Sequence, residues 1–133
     1  MDHDVIRAGA AYEGGSPSVA AARDFLTSFL TRARRIGVAV SEDLVERARL
    51  VVSELVTNAV KYALGTVSLL LELRPGELAI TVSDTSPALP APRAPDAGRI
   101  GQHGLEIVQA LCHDLQVTEV AGGKHIKVHL SPL

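Results

Sequence analysis

The chain is predicted to fold as an α+β two-layer sandwich, with a mixed, mostly antiparallel sheet of about five strands and its helices on one face. Three observations carry this expectation. Two long stretches, one opening at Ser16-Pro17 and one at Ser41, repeat apolar residues at helical spacing. Two pairs of short apolar runs, 66–73 with 77–83 and 115–120 with 125–130, are each joined by a turn short enough for a hairpin. The resulting order, (β)ααββ–loop–αββ, is dominated by hairpins, and a two-residue hairpin joins antiparallel strands.

Val5 to Tyr12 is predicted to form an edge strand. Gly14-Gly15-Ser16-Pro17 is turn chemistry, with Ser16 as N-cap and Pro17 at the first helical position. The helix that follows runs to about Ile36, with Val19, Ala22, Phe25, Leu26, Phe29 and Leu30 on one face and Gly37 as its stop. Ser41 caps a second helix whose positive end carries Glu42 and Asp43. Its apolar face repeats from Leu44 through Val51, Leu55 and Ala59 to Ala63, and Gly65 ends it. Arg74-Pro75-Gly76 turns the first hairpin. From Asp84 to Gly98 the chain holds Pro87, Pro90, Pro92 and Pro95, a density that excludes helix and central strand. A long loop inside a compact domain is often a functional lid, expected here over about residues 85–100. Gly101 to His113 reads as a third helix with Leu105, Val108, Leu111 and Cys112 inward, and Ala121-Gly122-Gly123-Lys124 turns the last hairpin.

With 133 residues the chain suits a single domain, 1–133. Trp is absent and aromatics are few, so the core must be built from Val, Leu, Ile and Ala. The net charge of −2 argues against a direct grip on nucleic acid. A lone Cys112 excludes an internal disulfide and is expected to act as buried filler. Neither a signal peptide nor an apolar run of membrane-spanning length is seen, which leads to the expectation of a cytoplasmic protein with no membrane contact.

Glu54 and Asn58 carry the strongest chemical signal. At i and i+4 they share one face of the second helix, with Lys61 a turn further on. A carboxylate can take a proton from a hydroxyl, and a carboxamide oxygen can bind a hard cation such as Mg²⁺. Taken alone, the trio reads first as the solvated stripe of an amphipathic helix, since charged helix faces are common. In Val82-Ser83-Asp84-Thr85-Ser86-Pro87 an apolar strand delivers a carboxylate able to accept from the exocyclic amine of a purine, although a strand-ending Asx-turn would use the same Asp. Gly98, Gly101 and Gly104 precede an apolar helix, where bare N–H groups form an anion site. This run is neither a P-loop nor a dinucleotide fingerprint, since no strand leads into it and no Gly-Lys-Ser/Thr follows. The five histidines show no helical i,i+4 pair, and His125 and His129 lie too far apart along a strand to chelate one ion comfortably.

The three segments, in this order, resemble the motifs of the GHKL (Bergerat-fold) ATP-binding domains, and within them the small stand-alone anti-sigma-factor-like serine/threonine kinase group of actinobacteria. Glu54 to Ala63 resembles the family's N box, Asp84-Thr85-Ser86-Pro87 its first glycine-type box, and Gly101 to Val108 its second. The likeness extends from Ser16-Pro17 to the last strand. It implies the histidine-kinase-like ATPase fold, with ATP and Mg²⁺ as cofactors. Carried over by position, Asn58 would hold Mg²⁺, Glu54 would act as general base on a partner's serine, and Asp84 would bind the adenine amino group. Gly101 and Gly104 would line the phosphates, Lys61 would help neutralise them, and Ser86 stands where other branches carry glycine. The implied partner is an anti-sigma-factor antagonist, with a sigma factor as a second, and a homodimer is one open assembly. The final hairpin departs from the family pattern: Gly122-Gly123-Lys124-His125 replaces Gly-Gly-Lys-Thr, so an imidazole at His125 would alter or block the adenine end of the pocket. That departure motivates the alternative of a non-catalytic ATP-binding module acting by docking.

Overall fold

The computed structural model describes residues 5–15, 17–62, 65–84, 106–120 and 123–131. The elements are β1 (Ile6–Tyr12), α1 (Pro17–Arg35), α2 (Glu42–Tyr62), β2 (Val67–Arg74), β3 (Glu77–Asp84), β4 (Asp114–Val120) and β5 (Gly123–Leu130), with residues 106–111 also helical. The strands form one sheet in the order β1-β2-β3-β5-β4. Every pairing is antiparallel, so the mixed character expected of the sheet is not found among the described strands. The Pro-rich segment, Ser86, Gly101 and Gly104 lie outside the described residues.

Local chemistry sets the helix ends. The Ser41 hydroxyl accepts from the Leu44 N–H at 3.0 Å, and its carbonyl accepts from Val45 at 3.2 Å, which caps α2 as its sequence requires. The expected cap Ser16 lies outside the described residues; beside it the Ser18 N–H donates to the Gly15 carbonyl at 3.0 Å. At the other end of α1, Gly37 takes φ 98°. Its N–H donates to the Arg34 carbonyl while Val38 donates back to Ala33, both at 3.0 Å, the paired bonds of a Schellman ending that a side chain at Gly37 would strain. Ser41→Ala is expected to cost about 1 kcal/mol and lower the melting temperature by about 4 °C, measured by thermal circular dichroism.

The two helices cover one face of the sheet. Ala22, Leu26, Phe29 and Leu30 of α1 meet Leu44, Val51, Val52, Leu55 and Val56 of α2, all at 2% exposure or less. Beneath them the sheet presents Val67, Leu69, Leu71 and Leu73, then Leu78, Ile80 and Val82, then Ile126, Val128 and Leu130. Such alternation is what one buried face requires. The other face is polar, where Glu72 pairs with Arg7 at 3.1 Å and Lys127 at 3.8 Å.

The helical segment 106–111 packs through Val108, which is fully buried. At its end the His113 N–H donates to the His129 carbonyl at 3.0 Å. Glu77 Oε2 lies 3.0 Å from His129 Nδ1 and 3.4 Å from His113 Nε2, clasping the segment to β3 and β5. No described group of His, Cys, Asp or Glu could hold a metal ion. Cys112 follows the helix rather than ending it and is half-buried, short of the full burial expected of filler. Burial pushes its thiol pKa up.

Candidate functional site

The site is built from one flank of α2 and one end of the sheet. Arg49 Nη1 donates to Thr27 Oγ1 at 2.9 Å, so that side of α2 faces α1. Arg47 Nη2 donates to the Ser131 carbonyl at 2.7 Å, so the opposite flank looks out over the end of β5. Glu54 and Asn58 follow Arg47 by seven and eleven residues, spacings that keep all three on that flank. The proposed base and the proposed cation ligand therefore turn away from α1, toward the part of the sheet that α1 leaves uncovered. Both are half-buried, neither sealed in the core nor fully in solvent, while Lys61 is exposed.

Connectivity brings Asp84 to the same end. Eleven residues of helix rise about 16 Å, carrying the flank from Ser131, just past the last residue of β5, back toward its start. After Tyr62 a short connection, 63–66, enters β2 at Val67. Val67 is the cross-strand partner of Asp84. Gly65 closes against the end of β1, where a Cβ on Gly14 would stand 3.4 Å from the Gly65 carbonyl. Asp84 thus ends β3 beside the last turns of α2. Its exposure is only 6%, and Ser18 is the other buried polar residue among those described. A carboxylate kept from water costs free energy unless it is engaged, and Asp84 is engaged within the fold. Sequence could place Asp84 at a strand end; its burial is visible only in the fold.

His125 is positioned otherwise. Its cross-strand partners are Ser83 and Thr118, whereas Asp84 is opposite Lys124. Along β5, Ile126, Val128 and Leu130 are buried beneath the helices while His125 is exposed. The strand period of two therefore puts the imidazole on the far face of the sheet from Asp84. The residue in the row of Asp84 is Lys124, which lies outside the three motif segments of the sequence. Counting in twos back from Val128 would have found it. Shallow concavities elsewhere, one along Asp24, Ser28, Thr31 and Arg35 of α1 and one beside Cys112 and His113, contain none of the candidate residues.

Two helices on one face of a five-stranded antiparallel sheet make an α+β sandwich, and the family this chain matches is the histidine kinase-like ATPase domain. The chain matches the model of that family over residues 16–130 and belongs to it. Among solved structures it is similar to the RsbU and RsbW domains of Rv1364c from Mycobacterium tuberculosis, at 18% identity and TM-score 0.70, over 94% of this chain and 31% of that one. It is also similar to the Acinetobacter baumannii histidine kinase AdeS, at 16% identity and TM-score 0.50, over 92% of this chain and 68% of that one. At these identities the likeness is one of fold, and the chain spans under a third of the first of the two. A comparison with curated proteins gives no match. No described helix is long and apolar enough to cross a membrane.

The donors suit the nucleotide that such a domain takes. Asn58 offers an oxygen of the hard kind that Mg²⁺ prefers, and Glu54 sits one turn away rather than beside it. Asp84 offers an acceptor already withdrawn from water, where a hydrogen bond to a ligand is stronger.

Proposed function

We propose that the chain is an ATP- and Mg²⁺-dependent protein serine/threonine kinase of the anti-sigma type. Its substrate is an anti-sigma-factor antagonist, and through it, and through a sigma factor that it also grips, the protein regulates transcription in the cytoplasm. The observation that carries this reading is that half-buried Glu54 and Asn58 share one flank of α2, the helix whose end leads into β2 at Val67, the cross-strand partner of buried Asp84. Membership of the ATPase family and a fold shared with a structure that includes an RsbW domain support it.

In this reading Asp84 accepts a hydrogen bond from the exocyclic amine of adenine and fixes the base. Asn58 would hold Mg²⁺ through its side-chain oxygen, and the charge such an ion supplies would offset that of the phosphates. Lys61, exposed at the last turn of α2, adds positive charge at the mouth. Ser86, Gly101 and Gly104 are proposed to contact the nucleotide from the two glycine-type boxes. Glu54 takes the proton from the partner's serine hydroxyl as that oxygen forms its bond to the γ-phosphorus and ADP departs. Phosphoryl transfer leaves little covalent work to the protein, so positioning and charge compensation suffice. His125 is exposed on β5, and the second reading that it motivates, a non-catalytic ATP-binding module acting by docking, predicts nucleotide binding without phosphate transfer.

Calorimetry with Mg-ATP, followed by transfer from γ-labelled ATP to candidate antagonists, tests the proposal. Saturable binding and label on a serine or threonine are expected. Binding without transfer to any antagonist would favour a docking module, and no binding would overturn the nucleotide reading.

A further inference from the structure

Lys124 is a cation set beside the one buried carboxylate among the described residues. The register pairs it directly with Asp84 across β3 and β5. Side chains of directly opposed residues lie on the same face, about 5 Å apart at Cβ. That face is the one beneath the helices, because Ile126 and Val128, two and four residues on, are buried at 4% and 0%. Lys124 is half-buried, unlike exposed His125 next to it. Its row runs Val67, Asp84, Lys124, Glu119 across the sheet. This row lies at the end of the sheet where α2 leads into β2.

An aspartate and a lysine side by side make an acceptor next to a donor. Adenine presents the complement on its pairing edge, with the N6 amine as donor and ring N1 as acceptor. A carboxylate alone reads only the amine. A lysine ammonium has three hydrogens to give and no lone pair, so it can serve N1 while Asp84 serves N6. Bases held out of a helix are recognised through this same edge.

We propose that Lys124 is a specificity-determining residue, donating to N1 of the adenine ring beside Asp84. The inference rests on the nucleotide reading above and extends it to a residue outside the three sequence boxes. A competing role is structural: Lys124 could serve only to balance Asp84 or its β4 neighbour Glu119. The two roles differ in what they make of N1.

The test is a cycle of two proteins and two nucleotides. Affinities of the unaltered chain and of Lys124→Met are measured for ATP and for 1-deaza-ATP, in which a C–H replaces N1. Removing N1 is expected to weaken binding to the unaltered chain by about tenfold to a hundredfold, the range for a hydrogen bond to a charged donor. The same removal is expected to change binding to Lys124→Met by less than about twofold. Lys124→Gln, which keeps an N–H donor without the charge, is expected to retain part of the N1 dependence. Thermal melting of each variant establishes that it is folded, and should Lys124→Met not fold, Lys124→Gln carries the comparison. An N1 penalty equal in variant and unaltered protein, or none in either, overturns the role of Lys124 while leaving ATP binding standing. Failure of the unaltered chain to bind ATP overturns the nucleotide reading itself.

Discussion

Glu54→Gln protein is expected to lose at least about a hundredfold in the rate of phosphate transfer to its protein substrate, the loss that accompanies removal of a general base. The substitution keeps size and hydrogen-bonding capacity and removes only the ability to hold a proton at neutral pH. Glu54 lies one turn before Asn58 on the α2 flank and is not itself proposed to hold the nucleotide. The affinity for Mg-ATP is therefore expected to stay within about threefold, since uniform binding and transition-state stabilisation are separable. Single-turnover transfer with labelled ATP, alongside calorimetry on the same preparation, reads both. Full transfer by Glu54→Gln would remove Glu54 from the chemistry. Loss of affinity and of transfer in the same proportion would recast Glu54 as a binding residue.

The largest effect on stability is expected at Phe29. The chain has two Phe and no Trp, and Phe29 is the largest of its fully enclosed side chains, at 2% exposure between α1, α2 and the sheet. Phe29→Ala removes a ring that aliphatic neighbours only partly close over, a change that costs about 3–5 kcal/mol. Domains of this size are stable by about 5–15 kcal/mol, so one substitution takes a large share. The expected fall in melting temperature is about 10–20 °C. Ile36→Ala serves as the control: at 67% exposure it leaves no cavity, and a change within about 0.5 kcal/mol is expected. A small shift for Phe29→Ala would mean that α1 is not seated on the sheet as described.

Most of the fold could be read from the chain because its signals are local. Apolar spacing, the Ser41 cap and Gly37 bound the helices to within a residue or two of α1 and α2. Pro75-Gly76 sets the register of the first hairpin, with Arg74 opposite Glu77. β1 is less legible, because Ile-Arg-Ala-Gly-Ala-Ala-Tyr is rich in Ala and Gly, which favour strands weakly, and it pairs along β2. Glu54 and Asn58 could be placed on one face from helical period alone, yet which way that face looked depended on where α1 docked. The burial of Asp84 arises from the meeting of elements far apart in sequence, which no local pattern encodes. The facing of His125 differs in kind. A count of two along β5, back from Val128, separates Lys124 on the helix face from His125 on the other.

The sheet order carries a consequence for biosynthesis. β5 is last in sequence but sits between β3 and β4. While the chain emerges from the ribosome, the outer edge of β3 has no partner until β5 has emerged as well. Neither can β4 join the growing structure, since among the described strands it pairs with β5 alone. Nascent protein is therefore expected to wait with a long apolar strand margin unprotected, the condition under which polypeptides pair with one another or recruit chaperones.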